Sequence, residues 1–221
     1  MNMVDVADMT LDELRIALAP HVAPIAGFDG WTEGAVLAAA DASGADRDVA
    51  RLAVPGTAVD MIDLWFAGID RRMAEALPPE TLGTMKIRAK ITALVAARLD
   101  ALAPDREALR RAVAILAMPQ NAPRAAKLGW RSADTMWRLA GDTATDYNHY
   151  TKRAMLAGIY AATIAVFLSD ESDGQAETRA FLARRIENIM QFEKAKAKLA
   201  GRKDHRFSMS RFIGRLRYNA R

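Results

Sequence analysis

The chain has 221 residues, 51% of them apolar and none of them cysteine, which is enough to bury one sizeable core and excludes disulfides, thiolate nucleophiles and Cys-rich metal sites. Its net charge of +4 is uneven: residues 194–221 hold ten Lys or Arg against one acidic residue, Asp204, leaving 21 basic and 26 acidic residues upstream. An anionic partner is therefore expected at the tail and not on the body.

The opening MNMVDVADMTLDELR sets three aspartates before its first basic residue, the pattern of neither a signal peptide nor a transit peptide. The longest uncharged run, Ala154 to Ser169, has 16 residues, short of the roughly 20 a membrane-crossing helix needs, so no transmembrane segment is expected. Helix start signals recur along the chain without β-branched runs between turn residues, which predicts an all-α fold.

Thr10 with Glu13 three residues on forms a capping box and opens a helix expected over 11–24. Thr32 is expected to cap a short helix over 33–42, ended by Ser43-Gly44, and a second short segment over 46–52 stops at Pro55-Gly56. The pair looks like a helix-turn-helix. Its second member reads Asp46-Arg47-Asp48-Val49-Ala50-Arg51, and those aspartates would face a polyanion where phosphate contacts demand excess positive charge. A DNA-binding regulator is the alternative reading of the chain.

Val59, Ile62, Phe66, Ile69, Met73 and Ala76 recur at spacings of three and four, an amphipathic helix closed by Pro78-Pro79. A helix over 81–102 follows, then one from Pro104 to Met118. The segment PQNAP, with Pro119 and Pro123, must turn. The next helix carries Trp130, Met136 and Trp137 up to Gly141. Thr143 with Asp146 reads as another capping box, starting a helix over 144–168 that is apolar on every face beyond Arg153. Such a helix is expected to be central, wrapped by other helices or by a lipid.

A last core helix over 175–199 presents Phe181, Ile186, Ile189 and Met190. The tail is expected to form a separate short helix in which Phe207, Met209, Phe212, Ile213 and Leu216, with Arg211 and Arg215 beside them, suit a seat among anionic headgroups. The expected organisation is a degenerate helix-turn-helix over 1–56, a helical core over 57–200 continuous with it, and the basic helix over 201–221. Asp142, Asp146 and His149 gather at one helix start, but capping and the helix N-terminal field account for the carboxylates, and one His lacks the further ligands an iron would want. No catalytic residue, metal or cofactor is expected.

Three strings, AVAILAMPQNAP over 112–123, GDTATDYNHYTKRAMLAGIYAAT over 141–163 and FLARRIENIM over 181–190, closely resemble the ubiquinone-biosynthesis family called COQ nine. The resemblance implies a TetR-like bundle of about nine to ten helices that forms a homodimer and carries an apolar pocket for an isoprenoid lipid or quinone precursor; with the aspartates of 46–52, no nucleic-acid partner is expected. Candidate lining residues are Leu116, Met118, Met136, Trp137, Met155, Ile159, Tyr160, Ile164 and Phe167. It also implies an accessory role beside demethoxyubiquinone hydroxylase or another quinone-biosynthesis enzyme. The partner-facing surface would map to Asp142, Thr145, Asp146, Asn148, His149, Tyr150, Lys152 and Arg153. The sequence departs at His149, where eukaryotic relatives carry Trp. A bacterial protein of the cytoplasm, held peripherally at the anionic surface of the inner membrane by the tail, is the expected setting.

Overall fold

The computed structural model describes residues 8–54, 56–143 and 147–203, and among these it holds ten α-helices and no strand. The first, α1 (Leu11–Asp29), opens on the expected capping box: the Glu13 amide donates to Thr10 Oγ1 at 3.3 Å and the Thr10 amide to the Glu13 carboxylate at 2.9 Å. It runs five residues past the expected end, through Pro20 and Pro24. A mid-helix proline removes an amide and costs about 3 kcal/mol in isolation. Burial of Leu18, Ala19, Val22, Ala23 and Ala26 along the same helix offsets that cost.

The short helices α2 (Glu33–Ser43) and α3 (Arg47–Ala53) follow as expected. Gly44 closes α2 in the left-handed region at φ 73°, and Asp46 caps α3 by accepting from the Asp48 and Val49 amides at 2.8 and 3.0 Å. Both arginines of α3 are held by nearby acids: Arg51 by Glu33 at 2.6 Å and Asp48 at 2.8 Å, and Arg47 by Asp41 at 3.6 Å. Helix α4 (Ala58–Ala76) begins where the Asp60 carboxylate accepts from the Thr57 amide and hydroxyl, at 2.7 and 3.0 Å.

The helix expected over 81–102 is two helices, α5 (Pro79–Gly83) and α6 (Ile87–Leu102). The Thr84 hydroxyl donates to the Thr81 carbonyl at 2.9 Å and the Met85 amide to that of Leu82 at 3.0 Å, so local bonds close the turn after Gly83. A 3₁₀ turn at Pro104 leads into α7 (Arg106–Leu116). The Asn121 side chain donates to the Ile115 carbonyl at 2.8 Å to tie the expected proline turn, from which α8 (Ala122–Leu139) departs.

Helix α1 packs against α2, α3, α4 and α7, while α4 reaches α6, α7 and α8. Their shared core includes Leu18, Trp65, Ile69, Leu94, Leu109 and Met136. Helix α9 (Tyr147–Ser169) lies along α8 and touches α6. The other helices of this chain cover only one side of it: Leu156, Tyr160, Ile164 and Phe167 are buried, but Ala154, Gly158, Ala161, Ala162 and Ala165 are open. Side chains this small expose little apolar surface each, so one face tolerates exposure. By length and composition alone, the 21 residues His149–Ser169, with mean hydropathy 1.3, are long and apolar enough to cross a membrane. The uncharged run of 16 understates the span because the helix begins before Lys152 and Arg153.

The chain divides into two compact units, Met1–Leu182 and Ala183–Arg221. Helix α10 (Ala176–Lys203) begins in the first and continues into the second, where the Gln191 side-chain amide donates to Glu187 one turn back at 3.3 Å. The tail residues Phe207, Met209, Arg211, Phe212, Ile213, Arg215 and Leu216 lie outside the described residues.

Candidate functional site

The corner between α8 and α9 is built from a helix stop and three ion pairs. Gly141, at φ 89°, ends α8: its amide donates to the Arg138 carbonyl at 2.9 Å, and the Asp142 amide to that of Trp137 at 3.0 Å, the two bonds of a Schellman motif. This aims Asp142 back at the first turns of α9. Lys152 Nζ donates to Asp142 Oδ1 at 2.8 Å and Arg153 Nη1 to Oδ2 at 3.0 Å, while Arg153 Nε reaches Asp134 of α8 at 2.6 Å. Burial pushes the Asp142 carboxyl up, but the hydrogen bonds from Lys152 and Arg153 outweigh it and hold the group below the usual carboxylate value.

Over this clamp sits an aromatic group. His149 and Tyr150 are in edge contact at 5.1 Å between ring centres, and Trp130 of α8 lies 6.4 and 6.0 Å from them. Trp137 donates its indole N–H to the Lys152 carbonyl at 3.1 Å and stacks under the Lys152 ammonium at 5.3 Å. Tyr150 is 61% exposed, whereas the Asp142 and Arg153 side chains are 7% and 2% exposed. The structure thus separates the expected cluster into a buried ionic support and an outward aromatic rim. Thr145 and Asp146, with the expected cap of Thr143, fall outside the described residues, as does the Asn148 side chain. A fixed aromatic rim over satisfied charges suits recognition better than proton transfer.

The nine apolar candidates are dispersed. Met136, Tyr160, Ile164 and Phe167 are buried; Leu116, Trp137, Met155 and Ile159 are half-buried; Met118, on the proline turn, is 44% exposed. Three hollows among the described residues have walls of other residues, one of them a groove of about 520 Å³ along α6 floored by Met85, Ala89, Ala93 and Ala96. Beside Tyr160 is a polar group that sequence reasoning missed. Arg98 of α6, fully buried, donates from Nε to the Tyr160 hydroxyl at 2.7 Å and from Nη1 to Asp70 of α4, and stacks between the rings of Phe66 and Tyr160 at 5.5 and 5.2 Å. Its Nη2 has no hydrogen-bond partner among the described residues. Burial raises the Tyr160 hydroxyl above its ordinary value despite the opposing Arg98 charge. The available signal was Asp70, an acid next to Ile69 in the apolar stripe of α4, since a buried carboxylate demands a partner.

Residues 122–193 match the family model COQ9. The mitochondrial ubiquinone biosynthesis protein COQ9 of Rattus norvegicus is 45% identical over 96 residues, 43% of this chain and 31% of that protein. That of Homo sapiens is 43% identical over the same length, 30% of its own chain. A Drosophila melanogaster relative of the same name is 28% identical over 193 residues, covering 86% of this chain and 59% of its own. The match therefore spans about a third of the rat and human proteins. Among solved structures, a TetR transcriptional regulator from Nitrosomonas europaea superposes with a TM-score of 0.63 at 23% identity over 80% of this chain and 97% of its own, so the fold is TetR-like.

Proposed function

We propose, from the premise that residues 122–193 form a COQ9-family domain, that this chain serves ubiquinone biosynthesis as a non-enzymatic accessory protein. In this reading it binds an isoprenoid quinone precursor beside α8 and α9 and docks on the membrane-associated hydroxylase of the pathway through the Tyr150 corner. The observation that carries the reading is the outward Tyr150, with Trp130 and His149, seated on the buried Asp142–Arg153–Asp134 pairs. Exposed aromatics on a rigid base are the usual anchors of an interface. The relatives' names point to the pathway.

The half-buried side chains Trp137 of α8 and Met155 and Ile159 of α9 supply the apolar surface for a prenyl tail. The open alanine face of α9 is the surface we assign to homodimerisation, and the basic tail is assigned to anionic lipid on the cytoplasmic face of the inner membrane. The DNA-binding alternative has no support from the arginines of α3, which are paired with acids.

Tyr150→Ala tests the reading. It is expected to abolish co-purification with the hydroxylase while leaving the melting temperature and the lipid found by solvent extraction and mass spectrometry unchanged. Retained co-purification overturns the docking surface, and a wild-type extract without isoprenoid overturns the lipid role.

A further inference from the structure

Helix α6 packs on α4, α8 and α9 and buries Ile91, Leu94, Val95 and Leu99 on its inner side. Its outer side forms the groove of about 520 Å³, floored by Met85, Ala89, Thr92, Ala93 and Ala96, with Lys86 and Arg88 lining it where the helix starts. Ala89 is exposed and the rest of the floor half-buried. The Thr92 hydroxyl donates to the Arg88 carbonyl at 3.0 Å, and neighbouring Lys90 donates from Nζ to the Ala140 carbonyl at 3.3 Å. Neither group asks for a partner in the groove, and the floor is left apolar.

The start of α6 breaks a rule that most helices of this chain keep. An acid stands in the first turn of α1, α2, α3, α4, α5, α7 and α10, where the positive end of the helix dipole favours it. Helix α6 instead starts Lys86-Ile87-Arg88-Ala89-Lys90, with no acid in its first turn. Helix α8 also starts without one, but its Arg124 is paired with Asp60 of α4. Lys86 is exposed and has no ion pair among the described residues. A cation set against the local dipole without an acid beside it is suited to a negative group from outside.

The described lining comes from one helical segment, which cannot surround a small molecule on most sides as small-ligand sites do. It suits an amphipathic helix laid along it. From Met85 to Ala96 the floor runs about 16 Å at ~1.5 Å per residue, or about three helical turns, and its alanines let two helix axes approach to about 8 Å. We propose that the α6 groove docks an acidic amphipathic helix of a protein partner, its apolar side chains against Ala89, Ala93 and Ala96 and its carboxylates beside Lys86. The surface shares no residue with the Tyr150 corner, so it stands whether or not that corner docks the hydroxylase.

The test uses the full chain labelled with ¹⁵N and two synthetic peptides of about 16 residues. Each carries leucines at helical spacing, flanked by glutamates in one peptide and by lysines in the other. With the glutamate peptide titrated to ~1 mM, the Ala89 and Ala96 amide signals are expected to shift saturably, and the lysine peptide should bind about tenfold more weakly. Lys86→Glu, which gives the helix start the usual sign, should weaken the glutamate peptide about threefold and strengthen the lysine peptide, with no fall in melting temperature. Ala93→Trp, which fills the floor, should remove the shifts at Ala89 and Ala96. Unmoved amides, equal affinity for the two peptides, or shifts that persist in Ala93→Trp each overturn the proposal. A lower molecular mass of Ala93→Trp in light scattering makes the groove a contact between copies of this chain, and larger α6 shifts with monomeric dihexanoyl phosphatidylglycerol than with peptide make it a lipid site; either result overturns the protein partner.

Discussion

Arg153 is the residue on which the α8–α9 corner depends. It is 2% exposed and holds Asp134 and Asp142 together, and removing one partner of a buried pair leaves uncompensated charge worth about 3–5 kcal/mol. Arg153→Met should lower stability by that order in urea unfolding, with most of the loss absent in Arg153→Met combined with Asp134→Asn and Asp142→Asn. Because the folded Asp142 carboxyl titrates below its ordinary value of about 3.9, its contribution is complete above that pH and is lost as pH falls through the lower folded value. Asp142→Asn should flatten that acid limb. The family resemblance put Asp142, Lys152 and Arg153 on one surface. It did not show that Arg153 lies inside, because which side of α9 is covered depends on where α8 lies. Of Asp70 and Arg98, 28 residues apart on different helices, only Asp70 has a local signature, its place beside the apolar stripe of α4, and nothing local points to Arg98.

At the scale of elements, several chain stops and starts made by a short-range bond were legible, although the stop after Gly83, also closed by local bonds, was not. The Thr10–Glu13 box, the Gly44 stop and the proline turn at 119 all rest on partners within six residues. What local chemistry disfavours and packing enforces was not legible: the course of α1 through two prolines, and the open side of α9. Gly56 illustrates the short-range kind. Its φ of 116° is a conformation other residues rarely adopt, and a Cβ there would collide with the Asp60 carboxylate that starts α4. Gly56→Ala should therefore cost about 1–3 kcal/mol, measured by thermal unfolding, and Asp60→Asn should not recover it, since the backbone strain remains.

For the whole molecule, charge is the property that sequence alone reveals most fully, because it needs no fold. Ten cationic residues after 193 face one acid, on a chain otherwise net acidic. Each cation near an anionic bilayer contributes on the order of 1 kcal/mol. A chain ending at Lys198 should keep its unfolding transition and whatever isoprenoid the intact chain yields on extraction, but no longer sediment with anionic vesicles. The intact chain should lose most of its binding at about 0.5 M salt, where the screening length is about 5 Å. Sedimentation of the shortened chain equal to that of the intact one would move the membrane contact elsewhere.

The ion pairs of α3 make the charge of that helix a local balance. Arg51 is neutralised from within by two carboxylates, Glu33 and Asp48. Loss of either acid would leave the guanidinium with one partner and raise the local net charge by one. Two outwardly ordinary surface acids thus set the sign of the face that α3 presents, and a substitution at either changes it without touching the core.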